Sequence, residues 1–361
     1  MTERPRPLRR SDGTLQERRA QLPWPADGRF RILSIDGGGI RGILPAAVLA
    51  RFEQEHLGGR SIGQCFDLIA GTSTGGIIAL GLAIGLPASE IANLYLTRGA
   101  EIFPSRSAPF KRLKAAIDRA RSLLHYQYER AALERELRHI FGSRLFGEAQ
   151  RRLCIPSFDG FTEVNVFKTP HHPDFKMDWR EELVTIALAT SAAPTFFSVY
   201  QNGNRRFADG GVWANNPIMI GLVDALTCFE LRRDQIDILS LGCGESEMII
   251  TEPQVRLGGL WHWREIMSAA MHLSSQNALG QAGLLVGRDR LIRIDAPPMP
   301  GKSIGLDDVH RAKAELPQIA LELAAEFDSV VRERFLSEAA EPYEAFHGPR
   351  FTPHPPSAAR Q

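Results

Sequence analysis

The stretch FDLIAGTSTGGIIALGLAIG, from Phe66 to Gly85, carries an apolar run into a glycine-bounded turn of three hydroxyls and out into a second apolar run. Short apolar runs on both sides of a tight glycine turn read as a buried strand feeding a buried helix. The pattern recurs. RFRILSI runs into DGGGIRG and then into ILPAAVLARFEQEH, whose apolar residues fall at helical spacing. IDILSLGCGE is another buried strand ending in a glycine turn, EIMSAAMHLSSQNALGQAGLL is helical, and RLIRIDA is a strand. Strands alternating with helices predict an α/β fold with a mostly parallel central sheet covered by helices on both faces. In such sheets chemistry collects at the carboxyl ends of the strands. Three glycine-rich turns fall at or beside such ends: Asp36–Gly42, Gly71–Gly76 and Asp209–Gly211. A fourth, Gly242–Gly244, reads as close packing.

Elsewhere, MDWREELVTIALATSAAP reads as a helix stopped by Pro194, RRFADGGVWANNP as a turn-rich loop, and HRAKAELPQIALELAAEFDSVVRERFL as a long C-terminal helix. Residues 1–29 are rich in Arg and Pro and are expected to form a flexible basic segment. Residues 30–342 form a single catalytic domain with a basic helical insertion near 105–147, and 343–361 form a loose tail. Among the 361 residues, 43% are apolar and 24% charged, the balance of a soluble globular chain. The net charge of +1 excludes a global field for a nucleic acid polymer. The charge is unevenly spread, with nine Lys/Arg against four acids over residues 106–138. The four cysteines have no metal-type spacing, and buried thiols suggest a reducing compartment. No secretory h-region and no membrane-spanning run is present. No metal or cofactor is expected.

Gly71-Thr72-Ser73-Thr74-Gly75 fits G-x-S-x-G between a strand and a helix, the context of a nucleophile elbow. Gly71 and Gly75 let the backbone turn sharply, and Ser73 is the candidate nucleophile. A serine needs a base to take its proton. None of the ten histidines sits in a convincing catalytic turn: His171 and His172 fall between prolines in an expected surface loop, His272 on an amphipathic helix, and His310 at a helix start. Asp209 precedes Gly210 and Gly211, so its carboxylate sits on an open turn, and partial desolvation would move its pKa toward working pH. Gly37, Gly38 and Gly39 offer consecutive N–H groups at a helix N-terminus for an oxyanion. Arg41 either anchors that turn or attracts an anionic head group. Gly37, Gly39 and Gly42 also spell the dinucleotide fingerprint G-x-G-x-x-G. Against that reading, Asp36 would oppose a pyrophosphate, and no acid stands at a second strand end about 20 residues on. A nucleotide-dependent oxidoreductase and a catalytically silent lipid-binding scaffold stay open as alternatives to the hydrolase.

DGGGIRG, GTSTGG and DGGVWANNP, in this order after an early strand, resemble the patatin-like phospholipases, as does ATSAAPTFF at Ala189–Phe197. The resemblance covers roughly Arg31 to Leu241. It implies a three-layer sandwich and a Ser–Asp dyad of Ser73 and Asp209 without histidine. It also implies an oxyanion site at Gly37–Gly39, with Arg41, Gly71, Gly75 and Gly210 in support. The reaction implied is release of a fatty acid from a membrane phospholipid through an acyl-enzyme.

FKTPHHPDFKMDW and the chain length are similar to bacterial members that act as antiviral effectors switched on by cyclic dinucleotides. That likeness implies a cyclic dinucleotide activator and a cytoplasmic protein acting peripherally on the inner membrane, with homo-oligomerisation open. In residues 107–142, Phe110, Leu113, Ile117, Leu123 and Leu124 fall on one face with Lys/Arg elsewhere. Such a helix either lies on an anionic membrane or packs on the sheet with a solvated basic face.

Overall fold

The computed structural model describes residues 19–104, 128–160, 163–194, 196–244, 266–297 and 304–353. Strand β1 (Phe30–Ile35) is buried along its whole length. It pairs in parallel with β2 (Leu68–Gly71) on one side and β7 (Ile236–Leu241) on the other. Beyond β7 lies β8 (Leu291–Ile294), also parallel. Beyond β2 lies β3 (Arg152–Asp159), parallel through its first half. The sheet turns antiparallel at this edge. There β3 pairs with β4 (Glu163–Lys168) and, through its last residues, with β6 (Arg205–Asp209), which pairs in turn with β5 (Tyr200–Asn202).

Alternation along the strands sorts their side chains into two cores. Leu33, Ile35, Ile69, Leu153, Ile155, Leu239 and Leu241 face one layer of helices. That layer is built from α1 (Ile43–Phe52), α2 (Thr74–Ala83), α3 (Ala88–Ile102), α4 (Arg130–Phe141), α5 (Leu183–Thr190) and, further along the chain, α9 (Val309–Val331). Phe30, Ile32, Leu68, Ala70, Cys154, Ile236 and Ile238 face the other layer, α7 (Ile218–Cys228) and α8 (Ile266–Val286). The result is the three-layer α/β arrangement expected, with β1, β2 and β7 central and buried and the parallel β8 at one edge.

Local differences have physical causes. The turn-rich reading of RRFADGGVWANNP missed β6 and the short helix α6 (Gly211–Ala214). A five-residue strand carrying two arginines shows no apolar alternation, and only pairing with β3 makes it a strand. The helix expected from Met177 begins at Leu183, with a 3-10 turn over Asp178–Arg180 ahead of it.

Residues 19–29 and 343–353 are not loose. Gln21 donates to the carbonyls of Leu226 (2.7 Å) and Phe229 (3.1 Å). Trp24 packs edge-on against Phe30 and Phe229. The buried Arg152 guanidinium lies 4.9 Å from the Phe229 ring, 5.4 Å from Trp24 and 5.8 Å from Tyr343, and donates to the Asp67 carbonyl. This cation among aromatic faces ties both terminal segments to β3. Residues 1–18 and 354–361, and the part of the basic insertion over 105–127 with its apolar face, lie outside the described residues.

His171 and His172, expected on the surface, are 1% and 2% exposed. His171 bonds Asp224 Oδ2 through Nε2 at 2.8 Å, and Lys168 Nζ lies 2.5 Å from Asp224 Oδ1. Burial alone would push the Asp224 carboxyl up, but Lys168 and His171 outweigh it and hold it well below the ordinary range. His171, Asp224 and Cys228 also converge as donor atoms. The ammonium already neutralises the carboxylate and would repel a cation. Removing one partner of such a cluster leaves an uncompensated buried charge. Asp224→Ala is therefore expected to cost about 3–5 kcal/mol of stability in urea unfolding. A loss under about 1 kcal/mol would show that the cluster is not a buried ion network.

Candidate active site

β2 ends at Gly71, and α2 begins at Thr74. Between them, Ser73 holds φ +54° and ψ −120°, the only non-glycine with positive φ among the described residues. Such a conformation costs roughly 1–3 kcal/mol and persists only where its surroundings enforce it. Close packing does so here. A Cβ on Gly71 would lie 2.2 Å from the Gly75 carbonyl oxygen, and one on Gly75 would lie 2.3 Å from that of Ile35. The elbow is thus pressed against the end of β1.

The three hydroxyls then separate. Thr72 is buried and donates to the Ala214 carbonyl at 2.6 Å. Thr74 bonds the Tyr95 hydroxyl at 2.6 Å. Ser73 lines a cavity that Asp209 also lines, and among the described residues no other hydroxyl claims its own.

Asp209 ends β6, directly across from Ser157 of β3. Its N–H donates to the Ala192 carbonyl (3.0 Å), and that of Gly210 to the Thr190 carbonyl (3.3 Å). A Cβ on Gly210 would sit 2.4 Å from the Pro156 oxygen, so a larger residue would lift the turn off β3. The carboxylate is 5% exposed and accepts the Gly211 N–H at 2.6 Å. Burial raises its pKa to about 6, against the opposing influence of the Ser73 hydroxyl and the Gly211 N–H.

The first glycine turn divides. Gly38 and Gly39 line the cavity. Gly37 does not, because its N–H donates to the Asn215 carbonyl at 3.0 Å. Gly37 is therefore corrected from oxyanion donor to a tie between β1 and the loop after β6. Gly39 adopts φ +57°, and a Cβ there would meet the Leu306 carbonyl oxygen at 2.4 Å. Arg41 anchors the turn, donating to the carbonyls of Gly38 (3.4 Å) and Gly244 (2.8 Å). Asp36 turns away from the cavity and pairs with Arg293 at 2.8 Å.

The cavity measures about 330 Å³. Ser73, Asp209, Gly38 and Gly39 stand along one side, and Ile77, Ile102, Phe103, Leu133 and Phe197 form apolar walls. No histidine lines it among the described residues. The arrangement places a hydroxyl, a carboxyl whose pKa is raised toward neutral pH, glycine backbone and apolar walls around one space.

Sequence reasoning missed Thr190, Asn215 and the N–H of Thr74. Thr74 opens α2, so its N–H has no intrahelical acceptor and adjoins the nucleophile. The Thr190 Oγ1 accepts the Ser73 N–H (3.0 Å) and donates to the Pro156 carbonyl (2.6 Å). ATSAAPTFF signals that segment, but the partners are distant in the chain. Thr190→Val keeps the shape and leaves two polar groups unpartnered. It is expected to lower stability by about 2 kcal/mol in urea unfolding. An unchanged midpoint and slope would mean that the bridge contributes nothing.

A family model described as patatin-like phospholipase matches residues 33–222, which span Gly38, Gly39, Ser73, Thr190 and Asp209. The chain is 38% identical over 215 residues to a cGAMP-activated phospholipase of Pseudomonas aeruginosa, covering 59% of this chain and 62% of that protein. It is 38% identical over 230 residues to one of Vibrio cholerae, covering 59% and 64%. It is 34% identical over 269 residues to patatin-like protein 2 of Arabidopsis thaliana, covering 64% of each. The chain thus spans less than two thirds of the length of these relatives.

Proposed function

Because this chain belongs to the patatin-like phospholipase family, we propose that it is a serine acyl hydrolase that releases fatty acids from membrane phospholipids. One observation carries this reading: Ser73, on a strained elbow, lines an apolar cavity together with a buried carboxylate, Asp209, whose pKa is raised. In the proposed mechanism the Ser73 Oγ attacks the ester carbonyl carbon and its proton passes to Asp209. The N–H groups of Gly38, Gly39 and Thr74 hold the oxyanion, which is the usual source of the largest catalytic term. Collapse expels the lysolipid alkoxide, which takes the proton from Asp209 and leaves an acyl ester on Ser73. Water then gives a proton to Asp209 and attacks that ester. Its collapse frees the fatty acid, and the proton returns to Ser73.

Substrate arrives from a lipid surface. Val212 lines the cavity yet is 39% exposed, and Leu273, two residues beyond the cavity-lining Met271, is 62% exposed. No helix among the described residues is long and apolar enough to cross a membrane. The four cysteines are buried free thiols, in keeping with a reducing compartment and action on the inner membrane from the cytoplasm. The relatives named as cGAMP-activated support gating by a cyclic dinucleotide.

Fatty acid release from mixed phospholipid vesicles, with and without a panel of cyclic dinucleotides, tests both parts. Ser73→Ala and Asp209→Asn are each expected to cut release by about 10³-fold or more, and the double variant to be little worse than either, since the pair acts as a unit. Clearly multiplicative losses would remove the dyad. Release unaffected by every nucleotide would remove the gating. A protonated Asp209 cannot take the serine proton. kcat/KM should therefore fall as pH drops through about 6, the value to which burial raises this group. A limb near the ordinary aspartate range would point to a different base.

A further inference from the structure

Two cavities meet at one side chain. Besides the catalytic cavity of about 330 Å³, a cleft of about 550 Å³ runs between the same three helices, α2, α3 and α4. Ile77 lines both. It stands one helical turn beyond Ser73, and its N–H donates to the Ser73 carbonyl at 3.0 Å. Tyr95 and Ile102 of α3 and Leu133 of α4 border the catalytic side. Ile91, Leu94, Ile140 and Phe141, from the same two helices, border the far side. The cleft therefore lies next to the catalytic cavity at Ile77, its apolar residues interleaved with the polar and charged Glu90, Asn93, Thr97, Arg98 and Glu136. Of these, Arg98 is paired with Glu101 at 2.8 Å and with Glu136 at 3.6 Å.

We propose that Ile77 is the stop that sets acyl-chain length, and that the cleft beyond it is a distal acyl-chain subsite closed by this residue. The inference rests on reading the catalytic cavity as an acyl site. Three facts support it. The catalytic cavity alone is at the lower end of the ~300–1,000 Å³ range of small-molecule pockets, and the cleft would more than double it. A β-branched residue in a helix holds essentially one χ1 rotamer, so Ile77 is a stiff wall rather than a swinging gate. Ile77 is also only 4% exposed while bordering both spaces.

The test compares p-nitrophenyl octanoate and palmitate on the wild-type chain and on Ile77→Ala, Ile77→Val and Ile77→Phe, each with and without the panel of cyclic dinucleotides. It also measures binding of octanoate and palmitate to the same proteins by calorimetry. Ile77→Ala is expected to raise the palmitate-to-octanoate ratio of kcat/KM by about tenfold or more, the scale set by one or two apolar groups in a pocket. Ile77→Val should move it less in the same direction, and Ile77→Phe should lower it. Val keeps the assay decisive if the alanine variant does not fold. Ser73-dependent hydrolysis with an unmoved ratio would overturn the stop and leave the hydrolase reading intact. Chain-length-dependent binding that shifts with Ile77, without hydrolysis, would overturn the hydrolase reading and uphold the subsite. Absence of both would overturn both.

Discussion

The backbone of Ser73 is held in a conformation that an ordinary residue adopts only under constraint, and the constraint arrives from three separate parts of the chain. The glycines on either side let the turn press against the end of β1. Thr72 ties the turn to α6 through the Ala214 carbonyl. Thr190, from the end of α5, takes the Ser73 N–H and passes the tie on to β3 through the Pro156 carbonyl. The same segment after α5 accepts the N–H groups of Asp209 and Gly210. One short stretch, Thr190–Ala192, thus places the serine and the aspartate relative to each other. Strain at a site persists when packing over-determines it, and here the packing that stores the strain also sets where these two side chains stand.

Burial does two opposite things to carboxylates in this fold. Asp209 is buried with neutral hydrogen-bond donors, and its pKa rises to about 6. Asp224 is just as buried but faces Lys168 and His171, and it stays charged. The difference lies in the partners, because desolvation disfavours charge in both while a nearby cation restores it. A carboxylate without a cation suits proton transfer. One with a cation suits structure, and Asp224 accordingly joins α7 to the loop after β4.

Much of the architecture was legible in the chain. Buried parallel strands read as largely apolar runs, and β1, β2 and β7 fall where those runs are, with the half-buried β8 at the edge also where its run is. The antiparallel edge was less legible. β6 carries Arg205 and Arg206 and only five residues, so pairing with β3, rather than its own composition, makes it a strand. The burial of His171 and His172 was equally hidden, since the Asp224 that holds His171 lies 53 residues away. The packed ends, built around Arg152 with Trp24, Phe229 and Tyr343, join four distant places in the sequence.

By itself the sequence determined the chemistry on offer. Glycine spacing around Ser73, Asp209 and Gly38–Gly39 permits sharp turns at strand ends, and such permission is a local property that residue types encode. Only the tertiary structure decided which offers were taken up. Thr72 and Thr74 spend their hydroxyls on Ala214 and Tyr95, and Gly37 spends its N–H on Asn215. Ser73 and Asp209 line one cavity across 135 intervening positions. A hydrogen bond depends on where two groups come to rest, and for groups so far apart in the chain the sheet order and its packed helices set that distance.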